Sequence, residues 1–459
     1  MNKYYLESLD EKQIEDLTKR PAIDFETTFA TVKLIMEDVK INGDKAIKAY
    51  SKKFDGIELE EFFVSQEEID EAEKRIPKDI KKAFKLAAKN IEKFHDSAKN
   101  KECKIIETTK GVSCYTKIVG IEKVGLYIPG GTAPLPSTVL MLAIPARIAG
   151  CKEIILCTPP QKNGKVADII LYAAKLAKVN KIFKIGGAQA ISAMAYGTKS
   201  VPKVYKIFGP GNQYVTAAKM LASIDPKGAA MDLPAGPSEV LVIADENANA
   251  VFVAADLLSQ AEHGKDSQVV LICTDEKKSE EILIELKKQL ENLPRKDIAS
   301  SSLEKSFCLV VEGKSSKEKI NKAIEFSNKY APEHLIINVK NPKLLVSKII
   351  NAGSVFLGQF SCEAAGDYAS GTNHTLPTYG YAKGYSGVSV DSFTRKITFQ
   401  NLTKEGIKNL GKTVEIMAET ESLQAHKNAM TVRMNSINNL KGTNTQIQKY
   451  RQGMLISHR

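Results

Sequence analysis

Short β-branched runs alternating with helical segments set what this chain can fold into. From Val124 onward, Val124–Ile128, Ile154–Cys157, Ile182–Ile185 and Val204–Phe208 are separated by stretches of helical period such as Ser137–Ala149 and Val166–Lys178. Runs of that length are too short for helices, and the repeated spacing reads as βαβ units on a parallel sheet. A second alternation follows. Strands are expected at Glu239–Ile243, Gln268–Cys273, Phe307–Val311, Leu335–Val339 and Gly353–Phe356, with helices at Ala248–Ala261, Lys277–Gln289 and Lys317–Lys329. The fold class is therefore α/β, two sheets in tandem. The flanks are helical: Phe25–Lys40, a turn at Asn42–Gly43–Asp44, Lys45–Phe54 and Pro77–Lys99 before the sheets, and Thr403–Leu410 and Lys412–Leu440 after them.

Composition removes several function classes. The 459 residues, 43% of them hydrophobic, suffice for about three domains. The longest apolar stretches, such as Val139–Ala146 with its Pro145, fall short of a membrane span, and Met1–Lys12 carries Glu7, Asp10 and Glu11 in place of a signal's apolar core. Seven scattered cysteines without a Cys-x-x-Cys pair fit a reducing, cytoplasmic setting. The net charge of +11 comes from Lys and Arg interleaved with Asp and Glu, a solvated surface rather than a nucleic-acid footprint. Ser436–Arg459 differs, with Lys441, Lys449, Arg451 and Arg459 and no acid, and reads as an appended basic tail.

Two expected strand-to-helix turns are rich in glycine: Ile185–Gly186–Gly187–Ala188–Gln189 and Phe208–Gly209–Pro210–Gly211–Asn212. Glycine lets an anion approach the amides that open a helix. The second is close to Gly-x-Gly-x-x-Gly, although Tyr214 holds the third glycine position, and Asp232 stands about 20 residues on, where a ribose hydroxyl is met in dinucleotide folds. An ordinary βα turn accounts for each equally well.

Of six histidines, four have polar company: His263 near Gln260, His334 after Glu333, His374 after Asp367 and Asn373, and His426 five residues beyond Glu421. A scarce imidazole beside carboxylates points to metal binding or proton transfer. His95 and His458 lack such neighbours. Gln260 and His263 are three apart at a helix end, so they share a face; a histidine answering the helix dipole is the alternative. Glu333 and His334 follow Pro332 and precede a strand, which places them in a loop at a sheet edge, unless they are an ordinary surface pair. Glu421 and His426 are expected on one C-terminal helix, about 140° apart around its axis. Gln260, His263, Asp367 and His426 together offer oxygen and imidazole nitrogen without sulfur, a set suited to zinc or manganese.

In order and spacing, Tyr127–Ile128–Pro129–Gly130–Gly131, Phe208–Gly209–Pro210–Gly211–Asn212, Leu233–Pro234–Ala235–Gly236–Pro237–Ser238–Glu239, Gln260–Ala261–Glu262–His263–Gly264, Ala331–Pro332–Glu333–His334 and the run from Gly366–Asp367–Tyr368 to Pro377–Thr378 resemble the histidinol dehydrogenase family over roughly residues 20 to 435. The resemblance implies zinc-dependent, NAD-linked oxidation of L-histidinol through L-histidinal to L-histidine. It implies Gln260, His263, Asp367 and His426 as zinc ligands and Glu333 and His334 as the acid–base pair. Ser238, His334, Glu421 and the metal ligands would contact substrate, and Tyr127, Gln189 and Asn212 would contact NAD. It further implies two incomplete Rossmann-like domains and a homodimer with exchanged C-terminal elements. The implied partition is an N-terminal segment 1–22 beside the C-terminal elements, a first α/β domain from 23–126 and 238–380, an NAD-binding domain 127–237, helical exchange elements 381–435 and the tail 436–459. Cys362 departs from the proline common in the family, and the tail has no counterpart. Two alternatives stand beside this reading: a dehydrogenase of the same fold acting on another small alcohol, and a zinc hydrolase in which Glu333 activates water and no nucleotide is needed.

Overall fold

The β-branched runs become parallel strands in a computed structural model that describes residues 1–20, 25–99, 104–130, 134–234 and 236–438. In chain order the strands are β1 (Asn2–Tyr5), β2 (Ile106–Thr109), β3 (Val112–Gly120), β4 (Lys123–Tyr127), β5 (Glu153–Thr158), β6 (Lys181–Lys184), β7 (Lys206–Phe208), β8 (Ala230–Met231), β9 (Glu239–Ala244), β10 (Gln268–Cys273), β11 (Phe307–Val310), β12 (His334–Asn338), β13 (Ser354–Leu357) and β14 (Thr394–Leu402). One unit comprises Met1–Lys99 with Gly120–Phe393, the other the described part of Asn100–Val119 with Thr394–Arg459.

The first unit holds two sheets, ordered β6-β5-β4-β7-β8 and β1-β11-β10-β9-β12-β13. Every pair that joins them is parallel. Counted from β4 and from β9, each sheet runs 3-2-1-4-5, the doubly wound order without its sixth strand. That bears out the expectation of two incomplete Rossmann-like sheets. The N-terminal segment, expected beside the C-terminal elements, supplies β1 to the far edge of the six-stranded sheet, where β11 satisfies its backbone groups.

The helices before β4 differ from the expected partition, which joined 23–126 to 238–380. Val32 and Met36 of helix Phe25–Asn42 and Ile47 of helix Asp44–Tyr50 pack with Phe183 and Ile191, while Ala88 and Ile91 of helix Lys78–Ser97 pack with Leu142 and Leu171. All of these cover the five-stranded sheet. Its strands are buried on both faces, so it needs two helical layers, and the helices threaded between its own strands do not complete them. Residues 381–393, expected among the exchanged elements, also belong to this unit: Phe393 is fully buried and stacks on Phe208 with ring centroids 3.9 Å apart.

His95, at the end of helix Lys78–Ser97, is a core residue. It is 1% exposed and neither ring nitrogen has a hydrogen-bond partner. Burial pushes its pKa down to about 4. The unfolded chain therefore binds a proton that the native state refuses between about pH 6.5 and 4, and stability falls as pH falls through that window. In urea titrations at pH 7 and pH 4.5, His95→Leu is expected to shrink the acid loss by up to about 2–3 kcal/mol; an unchanged pH dependence would show that His95 titrates normally.

In the second unit β2 and β3 form an antiparallel hairpin and β14 pairs with β3. Tyr115 and Phe399 stack across it at 5.1 Å. The strand β14 was expected to be the start of a helical region. Its Ile397 and Phe399 lie two apart, the strand period, which the flanking charges obscure. The expected helix Lys412–Leu440 is broken as well: helix Lys404–Thr420 ends, Ser422 turns with φ +59, and a second helix covers 424–438. Glu421 caps the first helix and His426 sits in the opening turn of the second, so the two do not share one helix. Thr431 donates to Glu415 between these helices. Residues 439–459, most of the basic tail, lie outside the described residues. Among the described residues no helix is long and apolar enough to cross a membrane.

Candidate active site

A pocket of about 130 Å³ in the first unit gathers most of the expected residues. One wall is made where the chain leaves the five-stranded sheet: Thr138 after β4, Gly209 and Pro210 after β7, Asp232 and Leu233 after β8. Those are the carboxyl ends at which doubly wound sheets receive ligands. The other wall comes from the amino ends of the six-stranded sheet. Ser238 precedes β9, Glu333 and His334 open β12, and Gln260, His263 and Asp367 complete it. The Glu333–His334 pair was expected at a sheet edge; β12 instead has β9 and β13 on its two sides.

His334 is 3% exposed, and its Nδ1 lies 3.1 Å from the carbonyl oxygen of Glu239. A carbonyl only accepts, so Nδ1 carries the hydrogen and Nε2 is the atom able to take a proton. Nε2 stands 3.3 Å from Asp367 Oδ1 without a hydrogen bond. Glu333, 5% exposed, accepts from the backbone amide of Glu239 at 2.9 Å and lies 3.6 Å from His334 Nδ1. Burial pushes its carboxyl up to about 8. For His334, burial pulls downward but Glu363, Glu333 and Asp367 outweigh it and hold the imidazole well above its ordinary range. Burial opposes ionisation of Asp367 too, and His334 outweighs it, leaving that carboxyl below its usual value. Asp367 is thus the carboxyl whose ionised form the site favours, facing an imidazole that carboxyl groups surround.

The scaffold behind this pair reaches the N-terminal segment. Arg20 Nη2 is 2.7 Å from Glu239 Oε2, with both side chains at most 5% exposed, and the guanidinium lies 3.5 Å over the Tyr330 ring. Since the Glu239 backbone contacts both Glu333 and His334, Arg20 braces the strand that aims them. Arg20→Met leaves the Glu239 carboxylate buried and unpaired, for an expected loss of about 3–5 kcal/mol; chemical denaturation would measure it, and a loss under about 1 kcal/mol would mean that water reaches the pair.

Groups able to hold a metal ion adjoin the pair. His263, Glu363 and Asp367 each present a ligand atom within 4.8 Å of the others. Gln260 is 1% exposed, and its amide is satisfied at both ends when its nitrogen donates to Glu363 Oε1 and its oxygen accepts from the Glu239 amide at 3.1 Å. Helix Glu363–Tyr368 brings Glu363 and Asp367 to one side by their i, i+4 spacing. Gly366 permits its approach, because a Cβ there would meet the Phe356 ring at 2.6 Å. Imidazole and hard oxygen donors fit a zinc-class cation. Glu363 was absent from the expected set, although the spacing Glu363–Asp367 carried the signal. His374 was noticed without a role. Its Nδ1 meets the Asp367 carbonyl oxygen at 2.8 Å and its Nε2 the Thr138 hydroxyl at 3.0 Å, so it ties the Asp367 loop to helix Pro136–Ile148.

The residues expected to contact a dinucleotide lie at the carboxyl end of the five-stranded sheet, on either side of the β4/β7 order reversal. The Tyr127 hydroxyl accepts from the Gly187 amide at 3.0 Å, Gln189 is 1% exposed with Oε1 unpartnered, and Asn212 Oδ1 accepts from the Tyr214 and Val215 amides. The amides of Gly187, Tyr214 and Val215 are therefore engaged within the protein, which accords with the ordinary βα-turn reading of these runs. Asp232 is engaged too: Oδ2 accepts from the Gly209 amide at 2.8 Å and Oδ1 from Lys219 Nζ at 2.6 Å, so it fixes the turn instead of facing a ribose. That turn needs glycine, since Gly209 has φ +123 and a Cβ would lie 2.1 Å from the Tyr127 carbonyl oxygen. Of these side chains, Gln189 Oε1 is buried without a partner. Glu421 and His426 lie in the second unit, both exposed.

Residues 18–434 match the family model described as histidinol dehydrogenase. A histidinol dehydrogenase of Bacteroides fragilis is 59% identical over 428 residues, spanning 93% of this chain and 98% of the relative. The chloroplastic histidinol dehydrogenase of Arabidopsis thaliana is 53% identical over 438 residues, spanning 95% and 92%. The crystal structure of histidinol dehydrogenase from Elizabethkingia anophelis superposes with a TM-score of 0.91 at 53% identity, over 95% of this chain and 99% of that one. With likeness of that extent in sequence and in fold, the chain belongs to the histidinol dehydrogenase family.

Proposed function

We propose that this chain oxidises L-histidinol to L-histidine through L-histidinal, with zinc and NAD, in the cytoplasm, as a homodimer with exchanged C-terminal elements. The observation that carries the reading is the buried Glu333–His334 pair facing the same pocket as the donor set of Gln260, His263 and Asp367. His426, exposed in the second unit, would complete that set from the partner copy, and Glu421 would meet the substrate's imidazole. Zinc, when bound, supplies a template that holds the substrate's nitrogens and directs its CH₂OH group. Tyr127, Gln189 and Asn212 would position NAD as hydride acceptor.

In the first half-reaction His334 Nε2, relieved of its own proton where a bound cation offsets the carboxylates that hold it protonated, would take the alcohol proton as hydride leaves carbon for the nicotinamide, giving the aldehyde. Nε2 suits the task because its ring partner nitrogen is anchored to the Glu239 carbonyl. In the second half-reaction Glu333 takes a proton from water as its oxygen adds to the aldehyde, and a second hydride leaves the hydrated carbon. Ser238, on the pocket wall, can hydrogen-bond the substrate. A balanced four-electron oxidation yields about two NADH per histidinol consumed, with histidine as product. Absorbance at the NADH band together with chromatography of the product tests this. Turnover of simple alcohols but not histidinol would favour the relative with another substrate; zinc-dependent hydrolysis without NAD binding would favour the hydrolase.

A further inference from the structure

Asp55 is a charged group from which the fold gains little. It closes the π-helical turn Ser51–Asp55 that follows helix Asp44–Tyr50, and the chain leaves through Gly56 at φ +70. An acid at the C-terminal end of a helical run is opposed by the helix dipole. Its Oδ2 is buried, no group among the described residues donates to that atom, and burial pushes the carboxyl above its usual range. A buried acceptor left unpaired costs free energy until a donor reaches it.

Asp55 lines a cavity of about 330 Å³ at the carboxyl ends of β4 and β5. Pro129, Pro134, Pro159, Pro160 and Ile170 give it apolar walls, and among the described residues that line it Asp55 alone is charged. Pro159 joins the cavity to the Gly186–Gly187 turn: a Cβ on Gly130 or on Gly186 would lie 2.5 or 2.6 Å from the proline ring, and the Tyr127 hydroxyl holds the Gly187 amide. The charge of Asp55 acts on that hydroxyl too. In doubly wound folds an acid beyond the second strand of the nucleotide-binding half meets the adenosine ribose hydroxyls, and a basic group there receives a 2′-phosphate instead. The second strand here is β5, which runs out into Thr158–Pro159–Pro160–Gln161 and offers no acid. Asp232 is spent on Gly209 and Lys219. Asp55 reaches the place from the helical layer before β4.

We propose that Asp55 selects NAD over NADP: with the adenosine half of the dinucleotide in this cavity, its carboxylate accepts from the ribose hydroxyls and repels a 2′-phosphate. Apolar walls suit the adenine ring, and a ribose diol brings the donors that the carboxylate lacks. The selection of one dinucleotide rests on the NAD reading above and narrows it.

Equilibrium binding of NADH and of NADPH to the full-length protein, followed by nicotinamide fluorescence, reads the selectivity without turnover. The unsubstituted protein is expected to bind NADH about 10–100-fold more tightly than NADPH, the worth of one hydrogen bond to a charged group. Asp55→Asn keeps the shape and loses the charge, so that preference should shrink by about 10-fold or more. Asp55→Glu, which keeps the charge, should still favour NADH, a rescue that a purely structural role would not produce. An unchanged preference in Asp55→Asn would overturn the proposal. Tighter binding of NADPH by the unsubstituted protein would overturn it as well and point to Lys162 and Lys165, exposed on the next loop, as partners of a 2′-phosphate. Because Asp55→Asn removes an unanswered charge, it should melt no lower than the parent; failure to fold would assign the carboxylate to the fold and overturn its role in selection. If the unsubstituted protein binds neither dinucleotide, the NAD reading fails together with this one; if it binds NADH and the preference survives in Asp55→Asn, this one fails alone.

Discussion

Glu333→Gln is expected to slow oxidation of histidinal by about 10²–10⁴-fold while hydride transfer from histidinol itself falls far less, because only the second half-reaction needs an activated water. Burial holds Glu333 up to about 8, so its basic form accumulates as pH rises toward that value. The rate of histidinal oxidation should accordingly climb as pH rises through about 8 and level off above about pH 9, and the climb should vanish in Glu333→Gln. His334→Gln should instead depress the first half-reaction, removing the base at Nε2. Single-turnover measurements starting from histidinol and from histidinal separate the two steps. Equal losses in both halves for Glu333→Gln would mean that the carboxyl serves the Glu239 backbone contact at 2.9 Å and not the water.

The second large effect concerns where His426 acts. His263→Ala and His426→Ala homodimers should each lose nearly all activity, as removal of one ligand opens the metal shell. When the two variants are unfolded together and refolded with zinc, each heterodimer of the proposed kind has one site lacking both histidines and one site intact. Activity should reappear in the mixture and co-purify with heterodimers isolated through two different tags. Tagged heterodimers that stay inactive would place His426 in the site of its own chain.

Much of this was legible in local pattern. Val124–Ile128 and Val269–Cys273 carry no charged residue, which a strand tolerates when buried on both faces, and with helical segments alternating between such runs the α/β class followed. His95 stood in charged helical sequence outside the four histidine clusters and is buried in the core. β14 was misread because Arg395 and Lys396 mask the two-residue period of Ile397 and Phe399. The break at Ser422 was missed because a left-handed turn at a serine has no strong local signature. Glu363 was overlooked because an acid four residues before Asp367 has the spacing of any helical pair until Gln260, about a hundred residues earlier, is brought against it.

By itself, the sequence determined the two α/β sheets, the scarcity and company of the histidines, and the motifs that mark the family, because period and residue type are local properties. The tertiary structure alone decided that helices 25–97 cover the five-stranded sheet, that the pocket joins the carboxyl ends of one sheet to the amino ends of the other, and that Asp232 is spent on Gly209 and Lys219. It also decided which nitrogen of His334 is spent on the Glu239 carbonyl and which faces Asp367. An apolar face encodes the need for a partner but not which one, and the proton affinity of a buried group depends on charges a few ångströms away that arrive from distant parts of the chain.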